Sequence, residues 1–475
     1  MRGGVARFVT IDIGSTWTKG ALVDLDGPSP RLLARESVPT TQHDLAEGFT
    51  RVRAALERSS GGAPRAEGAT VRFSSSAKGG LAIAAVGLVP DLTLSVARMA
   101  AASAGGKVTA GFSYRLASDH VAAIVASRPD IVLLCGGTDG GNESHVLHNA
   151  RALAASPLDC AFLYAGNASI RDEVRRILGA KDLTVTDNLM PEVGRLDLEP
   201  ARAHIRELFL ARIVEGRGLA HVRAETGGDP KPTPLAVYEL VEALARGIPG
   251  WDDLCLLDMG GATTDVYSDT ESFTGGEGRV LRGIRAPRLT RTVEGDLGMR
   301  VSAAAAAQSG REAVETLIGT PHAAFDAWID RVSVRPELLA ATSEERAFDD
   351  ALALACLSIA FARHAGTEEE TWTPQGKVLV QRGKDLAAVG RVVASGGFLA
   401  RLERADLVHR ALAEASRLRG PNGERPLLPA RPEVLVDREH LVPLAANLAA
   451  DHPREAACLV ADHLVPLAAA AGGPA

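Results

Sequence analysis

The chain has 475 residues, 46% hydrophobic and 23% charged, with a mean hydropathy of +0.04 and aromatics at only 4%. That length supports two or more domains with cores of Leu, Val, Ile and Ala, and the composition excludes a disordered or fibrous chain. A net charge of −7 and a pI near 6.0 exclude a basic groove for nucleic acid.

The first apolar run, Phe8 to Ile13, ends in the turn Gly14-Ser15-Thr16 and resumes from Gly20 to Leu25. This predicts a β-hairpin. Asp12 breaks the run, so no secretory leader is expected there. Further on, helices are expected over 44–58, 118–126, 144–154, 170–178 and 200–214. Strands are expected over 71–74, 108–112, 131–134, 161–165 and 183–186. Such alternation points to α/β layers. Gly227-Gly228-Asp229-Pro230-Lys231-Pro232-Thr233-Pro234 is the best linker candidate, because its prolines oppose both helix and sheet ladders. It separates an expected N-terminal half, 1–230, from a C-terminal half, 235–470. In the latter, Thr342-Ser343-Glu344-Glu345 is a capping box for an Ala-rich helix running towards His364. Residues 367–385 read as loop or hairpin, and 471–475 as a frayed tail. No stretch reaches the roughly 18 apolar residues of a membrane helix. Five cysteines (135, 160, 255, 356 and 458), with no C-x-x-C pair, read as reduced core thiols.

The chain repeats itself. Asp12-Ile13-Gly14-Ser15-Thr16-Trp17-Thr18-Lys19 returns as Asp258-Met259-Gly260-Gly261-Ala262-Thr263-Thr264-Asp265, with the aspartates 258 − 12 = 246 positions apart. Gly14 and Gly260, and Thr18 and Thr264, keep the same offset. A second match pairs Ile131–Gly137 with Arg391–Gly397, each an apolar strand ending in Gly-Gly. Two matches in order favour an internal duplication.

This pattern suits a nucleotide. A glycine-bent turn gathers backbone N–H groups into a nest for phosphate, and a missing side chain lets the phosphate approach. Gly14, Ser15, Thr16 and Thr18 form one candidate cradle; Gly260, Gly261, Ala262, Thr263 and Thr264 form the other. Lys19 either meets phosphate or faces outward. Asp12 and Asp258, at the strand ends, are the candidate catalytic and metal residues. They suit Mg²⁺ held through its waters, and one of them would orient the attacking water. Ser395-Gly396-Gly397, after a buried strand, lets the backbone lie flat against adenosine. Asp139, in the glycine-dense segment 135–142, belongs first to a hinge and second to a metal site. Asp296 either caps a helix or faces the cleft. No P-loop, H-E-x-x-H or D-x-H-x-x-G motif occurs.

These three segments resemble the phosphate 1, phosphate 2 and adenosine motifs of the actin/Hsp70/sugar-kinase superfamily. Ser74–Leu81, Leu134–Asn142, Tyr164–Asn167, Val293–Gly298 and Gly383–Leu386 resemble the MutL/GlmL family of glutamate mutase accessory proteins. The resemblance implies a duplicated ribonuclease H-like fold with a central nucleotide cleft. It also implies a cytoplasmic, Mg²⁺-dependent ATP-binding protein that services an adenosylcobalamin-dependent mutase of glutamate mutase or aminomutase type. A sugar or carboxylate kinase, with Asp139 or Asp296 as base, is one alternative. An iron–sulfur activator of a radical dehydratase, using Cys135 and Cys160, is another.

Overall fold

The computed structural model describes residues 7–41, 43–59, 68–76, 81–211, 219–273, 275–276, 278–319, 323–374, 376–403, 405–420 and 423–468. Residues 77–80 of the family-like segment after Ser74, residues 212–214 of the helix expected over 200–214, and the expected tail at 471–475 lie outside them. The chain forms two compact units, one from residues 1–79, 217–282 and 286–475, the other from 80–216 and 283–285.

The first unit opens with β1 (Arg7–Ile13), β2 (Trp17–Asp24), β3 (Arg31–Pro39), α1 (Leu45–Ser59) and β4 (Thr70–Ser75). β1 pairs antiparallel with β2 and parallel with β4. Its central place explains the nearly unbroken apolar run, since both faces are covered. α1 buries Leu45, Phe49, Val52 and Leu56 along one face. Each such side chain contributes about 1.5–3 kcal/mol.

The second unit follows: β5 (Ala82–Val86), α2 (Ser95–Ser103), β6 (Lys107–Phe112), α3 (Ser118–Ala126), β7 (Ile131–Leu134), α4 (Ser144–Ala154), β8 (Ala161–Tyr164), α5 (Arg171–Leu178), β9 (Asp182–Val185) and α6 (Glu199–Phe209). Its sheet is wholly parallel, in the order β6-β5-β7-β8-β9.

The chain re-enters the first unit through α7 (Leu219–Thr226), β10 (Lys231–Pro232) and α8 (Thr233–Gly247), and β10 completes the first sheet as β10-β4-β1-β2-β3. The expected linker is therefore partly regular structure. Pro232 is tolerated because β10 lies at a sheet edge, and Pro234 because it falls in the first turn of α8.

The remaining elements are β11 (Leu254–Met259), β12 (Thr264–Asp269), β13 (Arg279–Arg282), β14 (Leu289–Glu294), α9 (Ala303–Ser309), α10 (Arg311–Ile318), α11 (Ala323–Val334), α12 (Ser343–His364), β15 (Thr367–Thr373), β16 (Gly376–Arg382), β17 (Arg391–Ser395), α13 (Asp406–Arg417), β18 (Arg425–Pro426), β19 (Glu433–Val436), α14 (Leu441–Ala445), α15 (Pro453–His463) and β20 (Val465–Pro466). Their main sheet runs β14-β12-β11-β17-β19-β20. Apart from the added β20, it repeats the first sheet strand for strand. In both, a hairpin and a third antiparallel strand lie to one side of the leading strand, and two parallel strands lie to the other. This is the duplicated ribonuclease H-like fold.

The second sequence match is corrected by this topology. β17 has its structural counterpart in β4, whereas Ile131–Leu134 is a strand of the other unit's parallel sheet. Apolar strands ending in small residues recur wherever a parallel strand turns back, so that signal did not distinguish them. The capping box is as expected: Thr342 Oγ1 accepts from Glu345 N at 3.1 Å, and Glu345 Oε2 accepts from Ala341 N and Thr342 N. Residues 367–382 contain the β15–β16 hairpin.

Candidate functional site: two acid-led turns

Each hairpin closes with the same bond. Gly14 N donates to Trp17 O at 3.1 Å, and Gly260 N donates to Thr263 O at 2.8 Å. Behind each turn a buried threonine acts as a staple. Thr18 shares its hydroxyl with Thr40, which donates to Gly14 O, and Thr264 Oγ1 donates to Leu297 O at 2.7 Å. Both threonines are fully buried, so their hydroxyls brace the turns from inside. Ser15, Thr16 and Thr263 remain half-buried at the turns.

The turns meet within the first unit: a Cβ added at Gly261 would stand 3.4 Å from Thr16 Cγ2. The second turn is buttressed by the segment after β14. Met299 N and Arg300 N donate to Gly260 O and Gly261 O, and Ser302 Oγ donates to Ala262 O. Arg300 forks onto Asp349, which also accepts from Trp328 Nε1 at 3.0 Å.

The two leading acids have different surroundings. Asp12 Oδ1 accepts from Thr233 Oγ1 at 2.7 Å and Ser74 Oγ at 3.3 Å, and its Oδ2 lies 4.0 Å from Lys19 Nζ. Burial raises its pKa against those contacts. Asp258 is half-buried, and although its backbone lies in the ladders with β12 and β17, its carboxylate has no hydrogen-bond partner among the described residues. Burial, with Asp265 opposite it, pushes Asp258 up to about 7, and Asp12 adds to this while Lys19 opposes it. Lys19 thus serves the acids of both hairpins.

Ser395, at the end of β17, gives its hydroxyl to Asp437 Oδ2 at 3.1 Å, and Asp437 accepts from Leu441 N and Val442 N at the start of α14. Gly396 has φ +111°, and a Cβ there would collide with the Met259 carbonyl oxygen. Only glycine lets the two strand ends approach so closely. Gly397 is exposed, and a Cβ there would enter open space.

Four contributors were missed from sequence: Ser74, Thr233, Asp437 and Arg291, which is buried against Asp265. Asp437 had a readable signal, a polar residue closing the apolar strand Val434–Val436. Ser74 opens the family-like segment Ser74–Leu81 but had no role assigned to it, and Thr233 and Arg291 carried no signal. Asp139 lies in the second unit, where it accepts from Ala168 N and Asn188 Nδ2, and Asn167 and Asn188 tie down the surrounding loop. Those bonds describe a braced strand-end loop. Asp296 is forked by Arg363, which also binds Glu294. Cys135 and Cys160 are both buried, and burial pushes the Cys135 thiol up to about 12. Among the described residues no group of three or more His, Cys, Asp or Glu side chains is arranged to hold a metal ion. Mg²⁺ carried largely by water and phosphate needs fewer protein ligands, and the unpartnered carboxylate of Asp258 fits it. Among the described residues no helix is long and apolar enough to cross a membrane.

Duplicated sheets with acid-led turns define a protein with the fold of actin, Hsp70 and the sugar kinases. A family model described as MutL protein matches residues 8–464, and the chain belongs to that family. It is 35% identical over 473 residues to Protein MutL of Clostridium tetanomorphum, covering 96% of this chain and 99% of that one. Among solved structures, it is similar to a glycerol dehydratase reactivase (11% identity, 94% of this chain and 99% of that chain, TM-score 0.35). It is also similar to gluconate kinase from Lactobacillus acidophilus (11% identity, 98% and 93%, TM-score 0.33).

Proposed function

We propose that this chain is an ATP-binding accessory protein that hydrolyses the nucleotide slowly in the cytoplasm and services an adenosylcobalamin-dependent mutase of glutamate mutase or aminomutase type. The carrying observation is the meeting of two acid-led turns at Thr16 and Gly261. Membership of the MutL protein family supports the accessory role. Residues 1–230 and 235–470 are its two halves, and each contributes one turn.

In this reading the backbone N–H groups around Ser15, Thr16, Gly261 and Ala262 take the β- and γ-phosphate oxygens, with the Ser15 and Thr16 hydroxyls beside them. Asp12 is held in place by Thr233, Ser74 and Lys19, and Asp258 presents a carboxylate without a partner among the described residues. Together they would hold Mg²⁺, which when bound would supply charge neutralisation to the phosphates. Lys19 gives up its shared role between the acids and meets the incoming phosphate. Gly397 leaves a flat surface for adenosine, and Gly396 allows Met259 and Ser395 to converge beneath it.

The test is retention on the immobilised chain. Extract from a cell that encodes a cobalamin mutase is passed over it with MgATP and with MgADP, and retained proteins are identified. Nucleotide-dependent retention of the mutase supports the proposal, and equal recovery with both nucleotides overturns it. A substrate screen showing brisk phosphoryl transfer to a sugar or carboxylate would replace it with the kinase reading.

A further inference from the structure

Asp265 faces Asp258 across the β11–β12 hairpin, and the arginine of the neighbouring strand clamps it. Arg291 Nε and Nη2 both donate to Asp265 Oδ1, at 2.8 and 2.5 Å. Both side chains are buried, with 2% and 8% exposure. The guanidinium thus loads one carboxylate oxygen and leaves the other, Oδ2, 3.1 Å from Thr263 Oγ1. An ion-paired carboxylate has no proton to give, so the hydroxyl of Thr263 is the donor in that contact. Its single proton is then committed, and its oxygen can only accept from a third partner.

We propose that Arg291 is a positioning residue for nucleotide hydrolysis: acting through Asp265, it fixes the Thr263 hydroxyl so that its oxygen accepts a hydrogen bond from the attacking water. The inference rests on the nucleotide reading and revises it at one point, because Thr263 then orients water and does not donate to phosphate. The reaction is ordinary hydrolysis. The water oxygen bonds to the terminal phosphorus, and the bond from that phosphorus to the β,γ-bridging oxygen breaks. ADP leaves, and the water's proton ends on the released phosphate or in solvent. Thr263 contributes orientation to this step and takes no proton. Arg291 touches neither nucleotide nor water, and its effect passes through two hydrogen bonds.

The experiment uses the full chain with MgATP. Single-turnover hydrolysis and ATP affinity are measured for the wild type, Thr263→Val, Thr263→Ser, Asp265→Asn, Arg291→Met, Arg291→Lys and the double variant Thr263→Val/Arg291→Met. Thr263→Val, Asp265→Asn (whose amide reverses the bond to Thr263) and Arg291→Met are each expected to slow hydrolysis roughly 10-fold to 100-fold. ATP affinity stays within roughly threefold, since a mispositioned water does not alter ground-state binding. The double variant is no slower than Thr263→Val, because residues acting in series are not additive. Thr263→Ser keeps its rate, and Arg291→Lys does not, since one ammonium cannot set two N–H groups on one oxygen. The inference is overturned by a wild-type rate in Thr263→Val, by affinity falling in step with rate, or by additive losses in the double variant. If Arg291→Met does not fold, Asp265→Asn with Thr263→Val supplies the same cycle. A wild type that neither binds nor hydrolyses ATP sinks the nucleotide reading itself, a result distinct from all of these.

Discussion

Asp265 occupies in the second hairpin the place that Lys19 holds in the first: both lie directly across the ladder from the leading acid, 246 positions apart. The duplication therefore kept the backbone and broke the charge symmetry. Asp12 faces a cation, whereas Asp258 faces another acid whose charge is balanced by Arg291.

That asymmetry makes the two acids respond differently to neutralisation. Asp12→Asn and Asp258→Asn are both expected to abolish Mg²⁺-dependent ATP hydrolysis, as are the alanine variants, with the fold intact. Their stabilities part. Asp258 has a folded pKa raised from 3.8 to about 7, so the folded state holds the extra proton between those values. Stability then declines as pH rises through that window, and the full cost stands above pH 7. At pH 8, Asp258→Asn is expected to be more stable than wild type by roughly 1–3 kcal/mol, whereas Asp12→Asn gains less, because relief of its own raised pKa is offset by the loss of two hydrogen bonds and an ion pair. Urea unfolding at pH 8 checks both. Equal destabilisation would remove the distinction.

Two adjacent glycines separate folding from binding. Gly396→Ala places a Cβ against the Met259 carbonyl at a left-handed φ, and is expected to cost several kcal/mol and the folded yield. Gly397→Val enters open space, and is expected to leave the thermal midpoint within about 2 °C while weakening ATP binding roughly tenfold or more. Thermal unfolding and titration calorimetry read the two effects. An unchanged affinity in Gly397→Val would move adenosine elsewhere.

A buried histidine sets an acid limit on stability. His364 lies between Ser268 Oγ at 2.7 Å and Thr292 Oγ1 at 2.9 Å, and burial lowers its pKa to about 3. The unfolded chain binds the proton between about 6.5 and 3, so this contribution is present above 6.5 and is lost as pH falls. Between pH 7.5 and pH 5 the loss is about 2 kcal/mol. His364→Gln is expected to flatten that part of the profile, as measured by denaturant midpoints at the two pH values. A slope identical to wild type would count against it.

The Arg300–Asp349 pair ties the second turn to α11 and α12. Asp349→Ala strands a buried guanidinium and is expected to cost about 3–5 kcal/mol. Amide hydrogen exchange should rise at Gly260–Ala262 as well as in α11. Exchange confined to the helices would show that the turn stands without this brace.

Much of the fold was legible in the chain itself. The hairpins, the 246-position offset, the Thr342 capping box and the long helix to His364 follow from short-range rules of turn, cap and periodicity. The site was legible only along its turns. Thr18 and Thr264 have the residue type of phosphate donors, yet they sit one residue past the turn tip, where the pleat directs them inward. Ser74 and Thr233 reach Asp12 from 62 and 221 positions away.

By itself, then, the sequence determined where the backbone bends and which acid leads each bend, because those choices are made by neighbouring residues and by glycine's freedom. Tertiary structure alone decided which hydroxyls face solvent, which cation offsets which carboxylate, and that Asp258 is left without a partner among the described residues. Those outcomes depend on strand order, and no local pattern encodes a contact that exists only once a sheet has closed.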